Sequence, residues 1–101
     1  MGRSRINIPR ELIAGFCRRY RIRKLSLFGS VLRDDFDSNS DIDVLVEFEP
    51  GERVGLIRLA RIESELEGIL GHKVDINTPG FLSKYFREEI LSQAEVQYDT
   101  A

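Results

Sequence analysis

The chain has 101 residues, 42% of them apolar and 32% charged, with a net charge of -2. This is the size of one domain with one core, and no apolar run approaches the roughly 20 residues that cross a bilayer, which excludes a membrane-spanning protein. A single cysteine allows neither an intrachain disulfide nor a cysteine-based zinc site, and with no secretory or lipidation motif in view the expected location is cytoplasmic.

In chain order, Pro9 suits the first turn of a helix, and Leu12, Ile13, Phe16, Cys17 and Tyr20 follow at a spacing near 3.6 residues. This predicts an amphipathic helix ending near Arg21, with Cys17 in the core. Lys24 to Phe28 predicts a strand that stops at Gly29, followed by a short helix from Ser30 to about Asp34. A second strand is predicted from Asp41 to Phe48. Leu56, Leu59, Ile62, Leu66, Ile69 and Leu70 form a helical stripe that Gly71 would terminate. His72 to Ile76 predicts a third strand. Thr78-Pro79 offers an N-cap and first-turn proline for a last helix, which places Leu82, Tyr85, Phe86 and Ile90 on an apolar side facing the core. Val96 to Tyr98 predicts a short edge strand. The alternation of helices and strands points to an α+β domain, residues 1-101, in which helices cover a small mixed sheet.

The charge is unevenly spread: residues 1-33 hold nine Lys/Arg and one acid, the remainder six and sixteen. Five cations, Arg18, Arg19, Arg21, Arg23 and Lys24, fall near the end of the first helix, where positive charge is favourable. A solvated helix end explains them, and contact with phosphate, RNA or an acidic partner is the alternative.

The densest chemistry lies in Phe28 to Phe48, "FGSVLRDDFDSNSDIDVLVEF", with five aspartates. Side chains alternate across a strand, so Asp41 and Asp43 share one face while Ile42, Val44 and Val46 take the other. Two carboxylates so close raise each other's pKa or require a cation, and an oxygen-only pair suits Mg²⁺. Asp75, between Val74 and Ile76, supplies a third carboxylate if its strand is adjacent. Gly29-Ser30, where a strand gives way to a helix, lets backbone and a helix N-terminus approach a phosphate, and Ser30 adds a hydroxyl. Together these parts describe a phosphoryl-transfer site.

Gly29-Ser30, then Asp41-x-Asp43 after ten residues, then a later single aspartate, resembles the nucleotidyltransferase signature of the DNA polymerase beta superfamily. The short chain, with "GSVLRDD", "SDIDVLVEF" and "VDINTP", is similar to the minimal nucleotidyltransferases, the MNT or MntA-like proteins paired with HEPN-domain partners. The likeness runs from about Ile8 to Tyr98. It implies a nucleotidyltransferase fold, with Asp41 and Asp43 as metal ligands and Asp75 as third ligand and base toward an acceptor hydroxyl. It further implies nucleotide binding by Gly29, Ser30 and Arg33, with Arg33 and Asp35 fixing the turn before the acidic strand and Ser40 as a supporting residue. ATP as substrate, one or two Mg²⁺, and a HEPN toxin whose tyrosine accepts AMP follow from the same resemblance, which makes the chain an antitoxin. Nucleic acid is not expected as a direct substrate. Asn39 stands where the family often has a third acid, and Val31-Leu32 replaces a more polar pair.

Other readings are weaker on physical grounds. Asp35-x-Asp37-x-Asn39-x-Asp41 imitates the start of a calcium loop, but Ser40 and Val46 occupy its glycine and glutamate positions. Transfer to a small molecule generally needs a further helical domain that this length cannot hold. A non-catalytic module that masks a partner would not need all three aspartates. His72, the only histidine, reads as structural.

Overall fold

The computed structural model describes residues 8-32, 41-79 and 84-100. Its elements are α1 (Arg10–Arg19), β1 (Ile22–Phe28), a single 3-10 turn (Gly29–Leu32), β2 (Ile42–Phe48), α2 (Leu56–Leu70), β3 (Val74–Asn77), α3 (Lys84–Gln93) and β4 (Glu95–Asp99). The sheet order is β3-β2-β1-β4. β1 pairs antiparallel with both β2 and β4, whereas β2 and β3 run parallel. This is the mixed sheet expected from the sequence, with β4 on the expected edge.

Strand alternation sorts the side chains. Leu25 and Leu27 of β1 lie opposite Val46 and Val44 of β2, and Ile42 lies beside Val74 of β3. All six are buried together with Ile13, Phe16 and Cys17 of α1 and Ile62, Leu66 and Leu70 of α2. The two helical stripes therefore cover one face, each large aliphatic or aromatic side chain contributing about 1.5–3 kcal/mol by leaving water. The other face is also dry at its centre, where Ser26 and its partner Leu45 are buried.

Helix ends follow local chemistry. Pro9 is the N-cap of α1 rather than a first-turn residue, and its carbonyl accepts from the Ile13 N–H at 3.0 Å. Gly71 ends α2 in the left-handed conformation at φ 72° and donates to the Glu67 carbonyl, as its position after the stripe predicts. Leu56, counted in that stripe, is instead 81% exposed on the first turn.

The last helix departs most from expectation. It begins at Lys84, and Leu82 lies outside the described residues. Tyr85 and Phe86 are 89% and 61% exposed, not core, and no α3 residue joins the buried cluster. Their helical spacing marks an apolar side, but Tyr85 and Phe86 on it face solvent, while Ile90 is half-buried.

The basic cluster is largely neutralised within the chain. Arg19 pairs with Glu65, Arg21 with Glu52 at 3.9 Å and Arg23 with Glu47 at 3.6 Å. The acid-rich later half thus supplies counter-ions for the basic first third. No helix among the described residues is long and apolar enough to cross a membrane.

Candidate active site

The site lies where β1 ends and β2 and β3 begin. Asp43 and Asp75 are register partners in the parallel β2-β3 pair, so both side chains leave the sheet on the face away from α1 and α2. Asp41 stands one residue ahead of β2, exposed, two residues from Asp43 and so on its side of the strand. Asp43 is half-buried and Asp75 exposed.

Neighbouring bonds fix this end of the sheet. The Ile42 N–H donates to the Lys73 carbonyl at 2.8 Å, tying the chain between Asp41 and Asp43 to the residue ahead of β3. The Val74 N–H donates to Glu67 Oε2 at 3.1 Å, so the last turn of α2 anchors the residue before Asp75. Asn77 Nδ2 donates to the Asp75 carbonyl at 3.2 Å. Glu67 has no motif to announce it; its place in the last turn before a tight helix-strand connection was the available signal.

Phe28 is the partner of Asp43 across β1-β2, and Gly29 follows with φ +77°, a conformation that favours glycine. A Cβ at Gly29 would collide with Oδ2 of Asp43. The glycine therefore makes room for the carboxylate as well as turning the chain. Beyond it, Val31 is fully buried, which explains the apolar Val31-Leu32 pair: it pins the turn to the core. The Gly29–Leu32 segment is a 3-10 turn, and the remainder of the short helix expected from Ser30 to about Asp34 lies outside the described residues.

Of the predicted site residues, Gly29, Asp43 and Asp75 are brought together, Asp41 flanks them, and Ser30 follows Gly29 in the turn. Arg33, with Asp34, Asp35, Asp37, Asn39 and Ser40, lies outside the described residues. Among the described residues no three His, Cys, Asp or Glu side chains gather closely enough to hold a metal ion. The backbone register is in place, while the three carboxylates do not close into a cage.

The sequence pattern of the nucleotidyltransferase domain matches residues 9–96. The chain belongs to the nucleotidyltransferase domain family. A Methanocaldococcus jannaschii protein, provisionally named a protein adenylyltransferase, is 36% identical over 89 residues, covering 88% of this chain and 94% of that one. The protein adenylyltransferase MntA of Thermococcus cleftensis is 32% identical over 75 residues, 74% of each chain.

A solved structure provisionally described as a minimal nucleotidyltransferase superposes with a TM-score of 0.70 at 39% identity, covering 84% of this nucleotidyltransferase and 85% of that chain. More distantly, a chain from the complex of a tri-AMPylated Shewanella oneidensis HEPN toxin with MNT antitoxin shares the fold. Its TM-score is 0.65 at 20% identity, over 90% of this chain and 70% of that one. The family and the α+β fold expected from the sequence are borne out.

Proposed function

We propose that this nucleotidyltransferase moves AMP from ATP to a hydroxyl, with a tyrosine of a HEPN-domain toxin as acceptor, and so serves as the antitoxin of that pair. The observation that carries the reading is the register of Asp43 beside Asp75, with Gly29 leaving space for the Asp43 carboxylate. The adenylyltransferase names of the relatives from Methanocaldococcus and Thermococcus support AMP as the group moved. The Shewanella complex supports a HEPN toxin as acceptor.

The donors are all carboxylate oxygens, and Gly29 carries no β-carbon to displace Asp43 Oδ2, so the chemistry of the set suits Mg²⁺, which would have to draw the three carboxylates together. Asp41, Asp43 and Asp75 would hold one or two ions, which supply charge neutralisation at the attacking and leaving oxygens.

The chain's own residues account for the rest. Backbone N–H groups of the Gly29-Ser30 turn would hold the nucleotide phosphates, with Ser30 and Arg33 as the further nucleotide-binding residues that the family resemblance implies. The acceptor oxygen bonds to the α-phosphorus as that atom's bond to the bridging oxygen breaks. Pyrophosphate leaves with the electron pair, and Asp75 takes the hydroxyl proton. Exposure of Asp75 leaves room for an acceptor brought by another protein.

The test is incubation with ATP, Mg²⁺ and a HEPN partner, followed by intact mass. An AMP adduct on the partner, lost with Asp41→Asn and Asp43→Asn, is expected; an unmodified partner would sink the reading.

Masking without chemistry is the second reading, favoured by the exposed Tyr85, Phe86 and Leu91 of α3. It requires Asp43→Asn protein to silence the partner as well as the parent does.

A further inference from the structure

A cleft of about 560 Å³ opens at the other end of the sheet. The aspartates sit at the starts of β2 and β3, whereas this cleft lies where β1 begins, β2 ends and β4 ends, among Arg18, Arg21, Ile22, Glu49, Tyr98 and Thr100. The length of β1, roughly 20 Å at ~3.3 Å per residue, separates the two. Its volume falls in the range of roughly 300–1,000 Å³ typical of small-ligand sites.

Two arginines at this cleft are unusual. Arg18 has no ion-pair or hydrogen-bond partner among the described side chains, whereas Arg19, Arg21 and Arg23 each meet a glutamate. Arg21 has φ 55°, the one non-glycine residue with positive φ among those described. It follows the C-cap Tyr20, the place where helices commonly carry glycine, because a side chain there is strained by roughly 1–2 kcal/mol. Its ion pair with Glu52 is long, 3.9 Å, with the arginine side chain 68% exposed, and exposed pairs of this kind contribute little. The conformation is nevertheless held: the Arg21 carbonyl accepts from the Glu49 N–H at 2.9 Å. An arginine kept where glycine is easier suggests that its guanidinium is used.

We propose that this cleft binds a nucleoside monophosphate. Arg18 and Arg21 hold the phosphate, as paired guanidinium groups do; the base lies against the Tyr98 ring over the apolar floor of Ile22 and Cys17, and Glu49 accepts from ribose hydroxyls or a base amine. The floor is chemically inert, since burial pushes the Cys17 thiol up to about 12.

The test uses the full chain carrying Asp41→Asn and Asp43→Asn, in EDTA, titrated with AMP by calorimetry, so it does not depend on adenylyl transfer. One AMP per chain is expected, bound at least tenfold more weakly after Arg18→Ala or Arg21→Gly. Arg21→Gly should melt no lower than its parent, because glycine suits that φ, so lost binding cannot be blamed on unfolding. Inorganic phosphate should bind at least tenfold more weakly than AMP. No heat with AMP, AMP affinity indifferent to both arginines, or phosphate binding as tight as AMP would each overturn the proposal.

Discussion

The Cα of Gly29 lies against the side chain of Asp43, leaving no room for a β-carbon beside Oδ2. Alanine at position 29 must push the carboxylate aside and also hold φ near +77°. We expect Gly29→Ala to lower stability by about 1–2 kcal/mol and transfer by about 100-fold, since misplacing a reacting group by ~1 Å costs on that order. Thermal melting and a timed transfer assay separate the two losses. Transfer at the parent rate would show that Asp43 need not stay where it is.

Gly71 provides the contrast. It too has a positive φ, 72°, but a β-carbon there would touch nothing within 4 Å. Gly71→Ala should therefore cost about 1 kcal/mol in urea unfolding while transfer stays at the parent level. A loss well above that would mean that α2 ends under some further constraint.

Asp75→Asn removes a charge from an exposed position beside Asp43 and leaves the shape unchanged. The melting temperature should hold or rise, since like charges no longer face each other across the β2-β3 pair. Transfer should fall by about 10²–10⁴-fold, the usual worth of a positioned acid or base. Retained transfer would take Asp75 out of the chemistry.

Tyr20 donates to Glu65 Oε1 at 2.7 Å, and Arg19 pairs with the same carboxylate. The bond to Glu65, with some burial, raises the Tyr20 phenol above its ordinary 10.0. The bond from Tyr20, then Arg19, holds the Glu65 carboxyl below its ordinary 4.5. For Glu65 the folded value is depressed, so its contribution is present above 4.5 and disappears as pH falls through the lower folded value. For Tyr20 the folded value is raised, so its contribution is present below 10.0 and disappears as pH rises through the higher one. Tyr20→Phe should thus be less stable than the parent between these limits and converge on it outside them. Urea titrations across pH that run parallel throughout would contradict the pairing.

The sequence made some of this legible for identifiable reasons. Ile62, Leu66 and Leu70 repeat at helical spacing before a glycine, and each is buried, because a stripe that long has few ways to be satisfied. Asp41-x-Asp43 could be placed on one side of a strand because alternation is a local property. The neighbour of Asp43 is not local. That β3 lies parallel to β2, with Asp75 beside Asp43, depends on which strands pair, and periodicity does not encode strand order. The same limit hid the clash that makes Gly29 necessary.

What stayed hidden in the sequence shares that cause. Tyr85 and Phe86 have the spacing of core residues, but spacing says which side chains share a face and not which way the face points. Arg19, Arg21 and Arg23 form a basic run in one dimension; their glutamates come from residues 47-65 and could not be seen until the chain was folded.

Among the described residues, the edge strand β4, Glu95-Val96-Gln97-Tyr98-Asp99, has a neighbour on one side only. An open ladder invites a copy of the same molecule to extend the sheet. A second chain docking antiparallel and symmetric about Gln97 would set Glu95 opposite Asp99 at both ends, and facing acids repel. A sheet that grew by adding identical chains along this margin would repeat that like-charge contact at every junction, which disfavours a fibre built from copies of the same molecule.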